Sequence, residues 1–164
     1  MLPLKPARFL IRFAVILAVL YVPLTLEPVD RTVIVPFSRA IAVASGGILN
    51  LIGQHVTVSG VILTAGSNAV SIQNGCNGIE AVVFLIAAIL AFPATWRQRL
   101  IGLLTAIAVI QILNLVRVVT LFLLNRYKPD LFELFHLAIW QTVIGGAAIA
   151  LFYVWTTRVH AKRA

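Results

Sequence analysis

The chain carries one cysteine, Cys76, inside the stretch SIQNGCNGIE (71–80), where a polar, glycine-dotted segment gives way to an unbroken apolar run. A lone cysteine cannot close an internal disulfide, so its thiol is either packing filler or a reactive group. Two other side chains could make it reactive. Arg117 is embedded in QILNLVRVVTLF (111–122), and His136 lies in FELFHLAIWQ (132–141). Together these are the parts of a nucleophilic acyl transfer: a thiolate that attacks, an imidazole that takes its proton, and a cation that stabilises the oxyanion or fixes the peptide. An intramembrane arginine is costly and marks a functional site by default, the alternative being a snorkelling side chain that reaches lipid headgroups.

Supporting residues follow from spacing. Glu80 comes four residues after Cys76 and shares a helix face with it, where it either forms a structural pair with Arg117 or orients the arginine for reaction. Gln111, Asn114 and Arg117 recur every three residues as one polar stripe, although Asn114 serves equally well as polar glue between helices. Asn-Gly pairs at 74–75 and 77–78 turn the chain tightly and aim the first amides of the next helix near Cys76, which is expected to lower the thiol's pKa. One cysteine, three scattered histidines and five carboxylates give no metal-ligand spacing, and no cofactor is expected.

The elements that position these residues are membrane helices. The chain is 61% hydrophobic and 11% charged, against roughly 45–50% and 25% in soluble domains. Apolar runs reach the ~20 residues that cross a bilayer. The net charge of +8 comes from clusters beside these runs: Lys5, Arg8 and Arg12; Arg97 and Arg99; Arg158, Lys162 and Arg163. That is the pattern of cytoplasmic helix ends and not of a nucleic-acid surface.

Four spans are expected: Phe9 to about Leu26 (a retained anchor, with no small-residue cleavage site after it), Gly78–Thr95, Leu100–Leu124 and about Phe135–Thr157. EPVDR (27–31), WRQR (96–99) and NRYKPDLFEL (125–134) read as connections. Residues 54–75 alternate partly in period two around AGSN (65–68) and predict a short extracytoplasmic β-hairpin. Segment 32–53 is apolar but interrupted by Pro36, Arg39 and several small or polar residues. If every basic cluster is cytoplasmic, parity leaves 32–53 at the outer interface or shallowly re-entrant; a five-span chain with one basic loop on the wrong side is the alternative. The fold class is therefore an all-α polytopic membrane protein, a single domain over 1–164 with its core at 71–157. In it Cys76, Arg117 and His136 meet at one depth near the extracytoplasmic face.

The blocks NGCNGIEAVVFLIAAILAFPATWRQRLIGLL, QILNLVRVVTLF and FELFHLAIWQ together resemble the exosortase/archaeosortase family of membrane transpeptidases, in its short exosortase H-like form. The likeness runs over about 71–157. It implies that Cys76, Arg117 and His136 are catalytic. It also implies that exported proteins bearing a C-terminal motif, hydrophobic helix and basic tail are cut through a thioester and passed to a surface acceptor. The setting it implies is the bacterial inner membrane, with lipid and such exported proteins as partners. This chain reads Cys-Asn-Gly where many exosortases read Cys-Ser-Gly, so Asn77 stands in place of a family serine. A cysteine protease that only hydrolyses and a non-catalytic membrane assembly subunit are the rival readings.

Overall fold

In the computed structural model, which describes residues 6–73 and 75–161, the apolar runs form helices α1 (Pro6–Leu24), α2 (Glu27–Leu51), α3 (Ile79–Ala91), α4 (Trp96–Tyr127) and α5 (Pro129–Val159). Strands β1 (Thr57–Ser59), β2 (Ile62–Ala65) and β3 (Asn68–Ser71) lie between α2 and α3 as an antiparallel meander. The chain is thus a polytopic α-helical protein with a small sheet. Helices α1, α2, α4 and α5 are long and apolar enough to cross a membrane, and α3 is a shorter apolar helix. Lys5, Asn74, Lys162 and Arg163 lie outside the described residues.

Local chemistry sets the boundaries, and several differ from the sequence expectation. The hairpin gains a strand because Gly60, at φ +61°, turns the chain within VTVSGVIL; Gly66, at φ +62°, makes the expected turn at AGSN. Helix α3 stops thirteen residues in, well short of Thr95, because Phe92 precedes Pro93 and is held extended. WRQR is no loop: Thr95 caps it, accepting from the Gln98 amide while the Gln98 side chain accepts from the Thr95 amide, so α4 begins at Trp96. Likewise EPVDR opens α2, and most of NRYKPDLFEL is helical. Two wide π turns interrupt the regular helices, at Asp30–Ile34 and Phe135–Ile139.

Two apolar cores divide the molecule along α4. One joins α3, α4 and α5 through Leu85, Ile89, Ala106, Ile110, Ile144 and Ala148. The second joins α2 and the sheet to the later part of α4 through Leu49, Val56, Leu63, Ile72, Val118 and Phe122. Their centres on α4, near residues 108 and 120, are ~18 Å apart at 1.5 Å per residue. A side chain at Gly46 would run into Val58, so this glycine permits the close approach of α2 and the sheet. Helix α1 runs antiparallel to α3, with Phe9 against Phe92 and Phe13 against Phe84. Phe152 and Trp155 of α5 join the same aromatic group, and the Trp155 indole donates to the Gln98 carbonyl at 3.0 Å. Arg8, Arg97, Arg99 and Arg158 therefore gather at one end of the bundle. Arg117 lies 21 residues beyond Trp96, ~32 Å along α4, which is close to the ~30 Å thickness of a hydrocarbon core.

Candidate functional site

At the end of the bundle away from the arginine cluster, the chain leaves β3 and turns back into α3. The Cys76 amide donates to the Gln73 carbonyl at 2.9 Å, and Gly75 (φ +84°) and Gly78 (φ +77°) adopt the left-handed backbone this reversal needs. Asn77 is fully buried. Its Oδ1 accepts from the Ile79 amide at 3.0 Å, capping the start of α3, and its Nδ2 donates to Ser38 Oγ of α2 at 3.2 Å. Asn77 thus ties the cysteine turn to α2, a role that a shorter serine side chain would not span in the same way.

His136 lies on the π turn of α5, and its Nε2 is 3.1 Å from Cys76 Sγ. With Nε2 unprotonated, the thiol donates its hydrogen to the ring. Phe132, one turn earlier, packs its ring 5.5 Å from the imidazole, centroid to centroid. Arg117 is 2% exposed and joins the two halves: Nη1 donates to the Gly75 carbonyl at 3.0 Å and Nη2 to the His136 carbonyl at 3.5 Å. Its Nε and both amide atoms of buried Asn114 have no hydrogen-bond partner among the described residues. The three residues expected to converge do so, and an unsatisfied stripe of N–H and C=O groups lies beside them.

Glu80 does something other than expected. It forms no ion pair with Arg117; its carboxylate accepts from the Gly75 amide at 2.8 Å and so braces the cysteine turn. Arg117 is held by carbonyls instead and keeps its charge uncompensated by a carboxylate contact.

The expected lowering of the thiol's pKa is also overturned. Burial pushes the Cys76 thiol above its ordinary range, against the pull of the Arg117 guanidinium and with a smaller push from Glu80. Raising the pKa shrinks the thiolate fraction at neutral pH. Alkylation of Cys76 by iodoacetamide is therefore expected to be slow at pH 7 and to climb about tenfold per pH unit without levelling off below pH ~9. A plateau below pH 8 in a rate-against-pH series would show a stabilised thiolate instead.

Gly78, expected as half of an Asn-Gly turn, has a second role that the sequence did not reveal, the close approach of the turn to α4. A Cβ there would sit 3.2 Å from both Asn114 Cγ and Gln111 Nε2, on a backbone that L-residues rarely adopt. Gly78→Ala is expected to cost about 1–2 kcal/mol from backbone conformation alone and to push the cysteine turn off α4. Thermal unfolding should show the loss. Ser38 was also missed, and nothing in its local sequence links it to a residue 39 positions away.

The sequence matches the family described as transmembrane exosortase (Exosortase_EpsH) over residues 5–155. This chain belongs to the transmembrane exosortase family. No curated protein and no solved structure matches it. The match extends well beyond the blocks at 71–157, so α1, α2 and the sheet of this exosortase belong to the family pattern too.

Proposed function

We propose that this exosortase is a membrane-embedded cysteine transpeptidase that removes a C-terminal sorting signal from exported proteins and transfers them to a surface acceptor. The observation that carries the reading is the 3.1 Å contact between Cys76 Sγ and His136 Nε2, made across two helices beside a buried arginine.

Because the thiol is neutral at rest, proton transfer to His136 accompanies its attack on the scissile carbonyl. The S–C bond forms and the carbonyl oxygen gains charge beside Arg117, whose Nε is free to donate to it. When the C–N bond breaks, His136 returns the proton to the leaving amine, and the substrate remains as a thioester on Cys76. An acceptor nucleophile then displaces the thiol.

Placement favours such a substrate. Positive-inside bias puts the arginine cluster in the cytoplasm, which sets Cys76 near the extracytoplasmic face of the inner membrane. A substrate held by its own helix, with its basic tail inside, presents its motif at that depth. Helix α2 then lies with the sheet at the outer interface, in keeping with its packing on the later part of α4.

The test is co-expression with an exported protein bearing motif, hydrophobic helix and basic tail, followed by mass spectrometry of its C-terminus. The expected product lacks the tail and carries a mass addition at the new C-terminus. A C-terminus ending in a free carboxyl throughout would reduce the activity to hydrolysis.

A further inference from the structure

At the arginine end of the bundle, α3, α4 and α5 leave a groove of about 490 Å³ between them. Small residues open it: Gly102, Thr105 and Ala106 form the α4 wall, with Ile89 of α3 beside them. Trp155 of α5 forms another wall. A side chain at Gly102 would run into its ring, and its indole N–H already donates to the Gln98 carbonyl. These walls are therefore apolar and held in place. From Gln98 to Ala106 the groove follows α4 for ~12 Å at 1.5 Å per residue, less than half of the ~30 Å hydrocarbon core. It belongs to one leaflet, the one at the arginine end. Arg158, a turn after Trp155 towards that end, completes the lining and gives it a charge.

That charge has no acidic side chain to balance it. Glu27 and Asp30 stand at the start of α2, Glu80 at the start of α3, and Asp130 and Glu133 at the start of α5. All five acidic side chains thus lie on the cysteine side of the bundle, and the arginines gather at the other end. Arg158 is exposed, and no carboxylate pairs with it among the described residues. An arginine near the end of a membrane helix extends its guanidinium to the interface, where the planar fork matches a phosphate. Apolar walls at hydrocarbon depth with a guanidinium nearer the interface suit a molecule with a phosphate head and a long alkyl chain. Basic pockets between membrane helices recur as sites for anionic lipid headgroups. A second copy of the chain fits less well, because it would set one arginine end against another.

We propose that this groove binds one anionic phospholipid of that leaflet, with an acyl chain between α4 and α5 and the phosphate on Arg158. The lipid neutralises the arginine end and fills the junction of α3, α4 and α5. Gln98 lies ~28 Å from Arg117 along α4 at 1.5 Å per residue, so this lipid is a support and not a reactant. The inference needs only that these helices span a membrane and does not rest on the transpeptidase reading.

Native mass spectrometry of the full chain released from detergent micelles tests the site. The probes are dioleoylphosphatidylglycerol, dioleoylphosphatidylcholine and glycerophosphoglycerol, which is the first headgroup without its chains. One phosphatidylglycerol is expected to be retained at least about fivefold more strongly than phosphatidylcholine. Arg158→Gln should bring the two lipids level. Arg97→Gln removes a charge from the same end but not from the groove lining, and it should leave the preference unchanged. Thr105→Phe should fill the groove and lower retention of both lipids. Thermal unfolding in phosphatidylcholine establishes that each variant is folded, and phosphatidylglycerol should raise the unfolding temperature of the unaltered chain but not of Arg158→Gln. Equal retention of the two lipids by the unaltered chain overturns the proposal. So does an Arg97→Gln loss as large as that of Arg158→Gln, the mark of a diffuse basic surface. Undiminished retention by Thr105→Phe takes the acyl chain out of the groove and overturns it too. Glycerophosphoglycerol held as tightly as the whole lipid would make this a site for a free phosphate ester, and a lipid-free dimer would give the groove to a second copy. Either result sinks the lipid site.

Discussion

Cys76→Ala is expected to abolish removal of the sorting signal, with the rate falling at least about 10³-fold, to background. The reason is chemical: alanine cannot form the acyl bond, and no other thiol exists in the chain to take over. The fold should survive, because Cys76 is only half-buried at the edge of the core formed by α2, the sheet and α4. Losing one sulfur contact there costs on the order of 1 kcal/mol. The measurement is the C-terminal mass of a co-expressed signal-bearing protein, alongside the thermal unfolding of the purified variant. Unimpaired tail loss by a folded Cys76→Ala protein would end the proposed mechanism. Cys76→Ser separates filler from nucleophile further, since serine fills the site almost as well but its hydroxyl gives up its proton far less readily.

The second large effect is at Arg117. Arg117→Lys keeps the charge but is expected to lose about 10²-fold in tail removal. The guanidinium donates from two nitrogens to two carbonyls, those of Gly75 and His136, and thereby fixes the nucleophile turn against the base-bearing turn. An ammonium is a single point on a flexible stem and does not reproduce that fork. Arg117→Leu should lose at least about 10³-fold, since charge and both hydrogen bonds go together. Stability should move less than activity. Two carbonyls left without donors cost about 1–3 kcal/mol each, but removing a buried charge that has no carboxylate partner offsets part of this. Rates and unfolding temperatures of the pair give the comparison. A folded Arg117→Leu chain with near wild-type activity would leave the arginine a purely structural bridge.

Much of the site could be read from the residues. The polar stripe Gln111, Asn114 and Arg117 and the charge clusters at helix ends place Arg117 far from the basic end, and the apolar runs bring Cys76 and His136 to the same depth. The turn at AGSN was equally legible, as were the apolar runs that became α1, α4 and α5. Harder to read were the features that depend on which neighbour a side chain faces. Glu80 sits at the right spacing for Cys76, yet its carboxylate turns to the Gly75 amide because that amide is bare in the turn and Arg117 is already engaged by carbonyls. The thiol's pKa rises and does not fall, because burial outweighs the pull of Arg117 and Glu80 adds to the rise. Both π turns escaped notice, although they carry Asp30 and open the turn on which His136 stands.

Composition and helical rise by themselves determined that this is a membrane protein of stacked apolar helices, and how far along its helix each polar residue lies. That height is legible because every helical residue advances the chain by the same 1.5 Å, whatever packs around it. Rotation about each helix axis is not. It follows from how α3 and α5 pack on one stretch of α4 and how α2 and the sheet pack on another. Only that packing decided that Cys76 meets His136 and that Arg117 spans the two turns.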